Sequence, residues 1–265
     1  MSCAELTRRI EQIGAAFRRE SSVKLEPGRV LDERVLLSLQ RPVFGAEPLP
    51  GIVGIAREFG ATEAITGQFA TALEGAGVVH FGFEGGGGRA IFKVYFEYVA
   101  AARAAMQHRP PDHAVVHCAF KWEREYPSRH AVTIYTLRPD ANIADLARAM
   151  ERVAPLPCIR HLLHETVTLA LARQPGFQPM ALDVAEAGNP RQSIDIKLYP
   201  AGLRLEEIAG LVGVAVSALD APAERWNHVL KSHGDKQLGH VSAGQGRDGK
   251  PFATVYFGGQ AGGGA

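Results

Sequence analysis

Four places in the chain set a hydrogen-bonding residue and a tyrosine two positions apart: Lys93-Val-Tyr95, Thr133-Ile-Tyr135, Lys197-Leu-Tyr199 and Thr254-Val-Tyr256. Alternate residues of a strand share a face, so each pair presents its polar groups side by side. The residues that alternate with them are apolar: Phe92, Val94 and Phe96; Val132 and Ile134; Ile194, Ile196 and Leu198; Ala253, Val255 and Phe257. One face is made for packing, the other for water or for an enclosed ligand. An enclosed lysine ammonium needs a counter-charge. Glu97 and Asp195, on the same faces as Lys93 and Lys197, supply only part of it. An oxygen-rich dianion would engage every group, the lysines by charge and the phenols and hydroxyls by hydrogen bonds. A diphosphate is the economical choice. Lysine, threonine and tyrosine are also common on the wet side of antiparallel sheets, and the fourfold recurrence is what favours an enclosed site.

These residues must be positioned by strands, and the chain offers four hairpins. "VVHFGFE" and "RAIFKVYF" flank "GGGG"; "AVVHCAFKWER" and "RHAVTIYTL" flank "EYPS"; "MALDVAEA" and "QSIDIKLY" flank "GNP"; "LGHVSAG" and "KPFATVYFG" flank "GRDG". Helical periodicity is expected near 3–18, 30–40, 61–75, 97–107, 142–153, 158–173, 205–219 and 222–231. Two strands followed by one or two helices predict an antiparallel α+β fold and disfavour a Rossmann arrangement. If the helices cover the apolar face and the sheet closes, the Lys, Thr and Tyr row lies inside a barrel.

Register adds detail. A four-residue "GGGG" turn pairs Glu84 with Arg89 and His80 with Lys93, making His80 a candidate base. Counting around "EYPS", Thr133 faces Phe120 and Trp122 faces Ala131, which gives the lumen an aromatic patch able to hold a cation. A slip of one residue would turn these side chains outward.

A chain of 265 residues with a formal net charge of +1 gives no long-range reason to expect nucleic acid or an anionic membrane as partner. Three scattered cysteines suggest neither disulfides nor a zinc site, no apolar run approaches a membrane span, and the expected location is the cytoplasm. Residues 1–258 are expected to form a single domain, with 259–265 a flexible glycine-rich tail. "HLLHE" (His161–Glu165) lacks the order of a zinc-protease helix, "EGGGGR" precedes no helix and reads as a turn, and no metal ligand is assigned.

In these hairpins, and in "AIFKVYFEY", "SIDIKLYP" and "PFATVYFG", the sequence resembles the ABBA prenyltransferases, in particular the cyanobactin-type peptide branch, over roughly residues 78–258. The resemblance implies a barrel of repeated αββα units around an allylic diphosphate; eight strands are legible where that family usually has ten, so either residues 20–45 hide another pair or the barrel is short at its C-terminal end and completed by a partner. It also implies a prenyl transfer from dimethylallyl or geranyl diphosphate to a peptide, with Lys93, Tyr95, Thr133, Tyr135, Lys197, Tyr199, Thr254 and Tyr256 as the diphosphate clamp and tyrosine shield. Phe120, Trp122, Glu97 and Asp195 would line the prenyl and acceptor pocket, and His80 or Glu84 would take the acceptor proton. Mg²⁺ would arrive with the diphosphate. The family generally places an acid near the acceptor on its first hairpin, where this reading finds His80 at the centre and Glu84 toward the mouth. The alternatives are a non-catalytic barrel that binds an anionic or small ligand, or a prenyltransferase acting on small aromatic molecules.

Overall fold

The computed structural model describes residues 2–86, 88–108, 113–138 and 142–262. Ser2 and Glu5 cap each other's backbone amides and start α1 (Cys3–Glu11). Next come β1 (Phe17–Glu26), the short β2 (Arg29–Leu31), β3 (Arg34–Gln40), α2 (Pro48–Glu58), α3 (Glu63–Thr66) and α4 (Phe69–Leu73). Four hairpins follow. β4 (Val78–Gly86) and β5 (Arg89–Glu97) lead to α5 (Val99–Ala105), and β6 (Val115–Glu123) and β7 (Ala131–Leu137) lead to α6 (Ile143–Val153) and α7 (Pro157–Arg173). β8 (Met180–Glu186) and β9 (Gln192–Lys197) precede α8 (Ala209–Ala218) and α9 (Ala223–His233), and β10 (Leu238–Gln245) and β11 (Pro251–Gly262) complete the set.

The strands run β1-β3-β4-β5-β6-β7-β8-β9-β10-β11, each antiparallel to the next, and β11 returns to pair with β1. Among the described residues this is a closed ten-stranded barrel, with β2 pairing beside β3 along the end of β1. Outward-facing Val35, Leu37, Phe81, Phe92, Phe96, Phe120 and Trp122 pack under α1–α4. Val23, Ile194, Ile196, Val241, Val255 and Phe257 pack under α6–α9. The apolar core therefore lies between barrel and helices, and the opposite face of every strand is left to line the lumen. No helix of the described residues is long and apolar enough to cross a membrane.

The first hairpin is where the structure departs most from expectation. Residues 30–40, expected as helix, are β2 and β3, because Val35, Leu37 and Leu39 are buried outward while Leu36 and Ser38 alternate into the lumen. The first helix stops at Glu11 rather than continuing to 18, and β1 supplies the barrel's closing strand. The two strands missing from the sequence reading lie here. An unexpected helix, α2, begins at Pro48, where a missing amide costs nothing. Residues 259–262, expected in a flexible tail, continue β11, and Phe17 pairs with Gly262; residues 263–265 lie outside the described chain.

Two registers also differ. Across β4 and β5, Gly86 pairs with Arg89, so Glu84 faces Ile91, Gly82 faces Lys93 and His80 faces Tyr95. The turn is two residues rather than four, which moves the partners by two and keeps every side chain on its expected face. Across β6 and β7, Ala119 pairs with Thr133 and His117 with Tyr135. This slip is a single residue, so it turns β6 over.

Candidate active site

Turning β6 over exchanges its two rows. Phe120 and Trp122, expected in the lumen, pack outward: Phe120 against Phe69 and Phe96, and Trp122 against Phe92, with its indole nitrogen donating to the Phe59 carbonyl at 3.0 Å. Trp122 also borders one of the lumen's cavities. In their place His117, Lys121 and Glu123 face inward.

The lumen is divided into two chambers. Tyr95, Tyr135 and Tyr256 line both and mark the boundary, with the Tyr95 and Tyr135 ring centroids 5.9 Å apart. Burial raises all three phenols above their ordinary pKa, so they stay neutral hydrogen-bond donors at physiological pH.

The chamber on one side, about 460 Å³, is lined by ten lysine and arginine side chains against four carboxylates. Lys93 meets Glu84 at 2.6 Å, and Arg34 pairs with the same carboxylate. Burial opposes ionisation of Glu84, but Arg34 and Lys93 overcome it and hold the carboxyl well below its usual range. Burial lowers Lys93 to about 8 although Glu84 works the other way. Deeper in the wall, Glu186 accepts from Arg247 at 2.6 Å, Thr133 at 2.7 Å, Arg191 at 2.9 Å and Lys121 at 3.4 Å. One carboxylate cannot neutralise three cations, and burial, Arg191 and Lys93 together drive the Lys121 pKa well down. The chamber is short of negative charge. Thr254 is among its lining residues.

The chamber on the other side, about 740 Å³, is different in kind. His240 lies between two carboxylates, Nδ1 at 2.8 Å from Asp195 and Nε2 at 3.2 Å from Glu20. Glu20 also accepts from the Tyr199 hydroxyl. Any side chain at Gly239 or Gly259 would collide with Tyr199, since a Cβ would come within 2.6 and 2.7 Å of its hydroxyl. His80 is bonded through both ring nitrogens, to Ser38 Oγ at 2.7 Å and to Glu97 Oε2 at 3.1 Å. Lys197 Nζ is 3.4 Å from His117 Nε2, and the other His117 nitrogen is buried without a partner among the described residues.

The expected residues are thus brought into one lumen but not to one point. Lys93 and Thr254 line the cationic chamber, whereas Lys197, Tyr199, His80, Glu97 and Asp195 line the other. The two-lysine clamp is split. Tyr199 belongs to a turn beyond β9 rather than to the strand itself. Glu84 is committed to Lys93 and Arg34 in the cationic chamber, and Thr133 to Glu186. The reading missed Glu20, Arg34, Lys121, Arg191 and His240. For Glu20 the signal was the alternation of Glu20, Ser22 and Lys24 with Val23 and Leu25, hidden because Arg18 and Arg19 seemed to extend a helix.

The sequence matches no protein-family model and no curated protein. The fold does have relatives. Solved structures that match include the NotF prenyltransferase, with 12% identity over 92% of this chain and 81% of that one, TM-score 0.57, and AnaPT from Neosartorya fischeri, with 13% identity over 93% and 80%, TM-score 0.51. The barrel has the ABBA prenyltransferase fold. A further match is NotF in complex with brevianamide F and DMSPP, at 11% identity over 92% and 80%, TM-score 0.50. The cyanobactin-type branch gains no support from these matches. In this ABBA barrel Glu20 stands on β1, in the first hairpin, whereas His80 and Glu84 stand on β4, in the second.

Proposed function

We propose that the chain transfers an isoprenoid, dimethylallyl or geranyl, from an allylic diphosphate to an acceptor side chain or ring. The observation that carries this reading is the juxtaposition, across Tyr95, Tyr135 and Tyr256, of a chamber short of negative charge and a chamber holding carboxylates and imidazoles. The diphosphate occupies the first, opposite Arg34, Lys93, Lys121 and Arg191. Its stabilisation there assists breakage of the carbon–oxygen bond, and the bonding pair leaves with the diphosphate. The allyl cation forms at the tyrosine boundary, whose ring faces shield it from water. The acceptor attacks from the larger chamber, the new bond forms at the allylic carbon, and the proton passes to Glu20.

The acceptor is a peptide side chain, as the resemblance implies, or a small aromatic molecule, as one matching structure's bound brevianamide F favours. The larger chamber, about 740 Å³, has room for either. The carboxylates near the proposed diphosphate are each committed to lysine or arginine, so their donor set does not fit a protein-held Mg²⁺. That ion would enter only with the diphosphate.

The test is incubation with dimethylallyl or geranyl diphosphate and two acceptor sets, tryptophan-containing cyclic dipeptides and longer peptides, read by mass spectrometry. A product heavier by one prenyl group supports transfer and identifies the acceptor class. Saturable diphosphate binding with no product from either set would leave only the binding-protein alternative.

A further inference from the structure

The wall of the larger chamber carries a second arrangement that prenyl transfer does not use. His80, Glu97 and His117 stand on the adjacent strands β4, β5 and β6, with Glu97 paired directly with His117 in the register. One donor atom from each lies within 4.8 Å of the others. We propose that these three residues bind a divalent transition metal of the zinc class, with an open coordination position facing the larger chamber.

The spacing fits such an ion. Ligand atoms bonded to one zinc at about 2.0–2.1 Å and a tetrahedral angle stand on the order of 3.4 Å apart, and the centroids of two such imidazoles on the order of 5 Å apart. His80 Nε2 and Glu97 Oε2 are 3.1 Å apart, and the His80 and His117 centroids 5.8 Å. Imidazole and carboxylate donors suit zinc and its neighbours. The outer shell is also present, because Ser38 holds the remaining nitrogen of His80 at 2.7 Å and fixes the ring. Three protein ligands leave a fourth position, and all three residues line the same cavity. Glu97 is the most open of them, its side chain 23% exposed against 9% for His80.

One neighbour opposes the ion. Lys197 places its ammonium 3.4 Å from His117, where it competes for the imidazole lone pair and repels a cation. Binding therefore displaces Lys197 and moves the His80 ring proton from Nε2 to Nδ1, where Ser38 Oγ accepts it. This opposition distinguishes the site from adventitious histidine binding: removing the lysine charge should strengthen it.

The site does not depend on the proposed transfer reaction, and its test reads binding. Full-length protein stripped with chelator is titrated with Zn²⁺ by calorimetry and with Co²⁺ by visible absorption. One ion per chain is expected, with Co²⁺ giving the intense bands of a low-coordinate nitrogen and oxygen site. Glu97→Gln and His117→Gln should each weaken binding by more than about tenfold, and Ser38→Ala by about tenfold. Lys197→Met should tighten it. Near-UV circular dichroism checks folding, and Glu97→Gln, at the most open of the three ligands, carries the test should His117→Gln unfold. Absence of saturable binding, or an isotherm indifferent to Glu97→Gln and Lys197→Met, overturns the proposal.

Discussion

His240 lies flat on Tyr256, the ring centroids 3.8 Å apart and the planes within 7° of parallel. Burial alone would strip the imidazole of its second proton, but Asp195 and Glu20 raise it to about 9. At neutral pH the stack is an imidazolium on a phenol face, beside the boundary where the cation is proposed to form.

The sign of the consequence follows from the two states. The histidine titrates near 6.5 when unfolded and near 9 when folded, so its contribution is complete below about 6.5 and is lost as pH rises through about 9. Unfolding free energy from urea titrations should fall between neutral pH and about 8 in the wild type and level off above it, where Lys93 opposes the loss. The decline should be much smaller in His240→Gln, and an equal decline would show that the carboxylates do not hold the proton. Lys93, lowered to about 8, contributes in the opposite sense only above that value.

Lys93 gives a separate signature in binding. Its depressed pKa means that the free protein loses this charge as pH rises through about 8. Affinity for inorganic pyrophosphate should drop above that pH in the wild type. Lys93→Met should bind more weakly at pH 7 and lose that pH dependence. Arg34→Met also removes a partner of Glu84, so it should weaken pyrophosphate binding as well, but without abolishing the step near pH 8.

Glu20→Gln removes the proposed proton acceptor while keeping the shape and an acceptor oxygen for Tyr199. Turnover should fall by about 10²–10⁴, with pyrophosphate affinity within about twofold of wild type, as measured by single-turnover kinetics and calorimetry. Gly239→Ala approaches the same pair from behind, because its Cβ would meet Tyr199 and Glu20 at 2.6 and 2.8 Å. It should impair turnover in the same way while leaving pyrophosphate binding intact.

Phe120 and Trp122 test the orientation of β6. Packed outward and 3% and 1% exposed, they belong to the layer between barrel and helices. Trp122→Ala should cost about 3–5 kcal/mol of stability, seen as a large fall in the denaturation midpoint. Lining residues would instead alter product distribution at little cost in stability, and that result would mean β6 faces the other way.

Much of the architecture is set by local pattern. Four hairpins, their apolar outer rows and the inward Tyr95, Tyr135 and Tyr256 follow from period-two alternation, which a strand obeys whatever surrounds it. The two-residue turn after Gly86 did no harm to this reading, because a shift of two preserves the face. What local pattern could not determine was parity across a longer loop. The connection from Glu123 to Ala131 absorbs one residue more or less at little cost, and only the fit of Phe120 and Trp122 beneath α4 and beside Phe59 selects the face.

The first hairpin was hidden for a related reason. In β1, charged residues line the lumen on a strand whose neighbours along the chain look helical, and only closure against β11 gives Glu20, Ser22 and Lys24 an interior to face. The sequence by itself determined that lysines and tyrosines would share the inside of a helix-covered antiparallel barrel. Tertiary structure alone decided that Lys93 and Lys197 fall on opposite sides of a tyrosine boundary, and that Glu20 meets His240. Such meetings depend on strand stagger around a closed ring, a long-range quantity that no window of sequence contains.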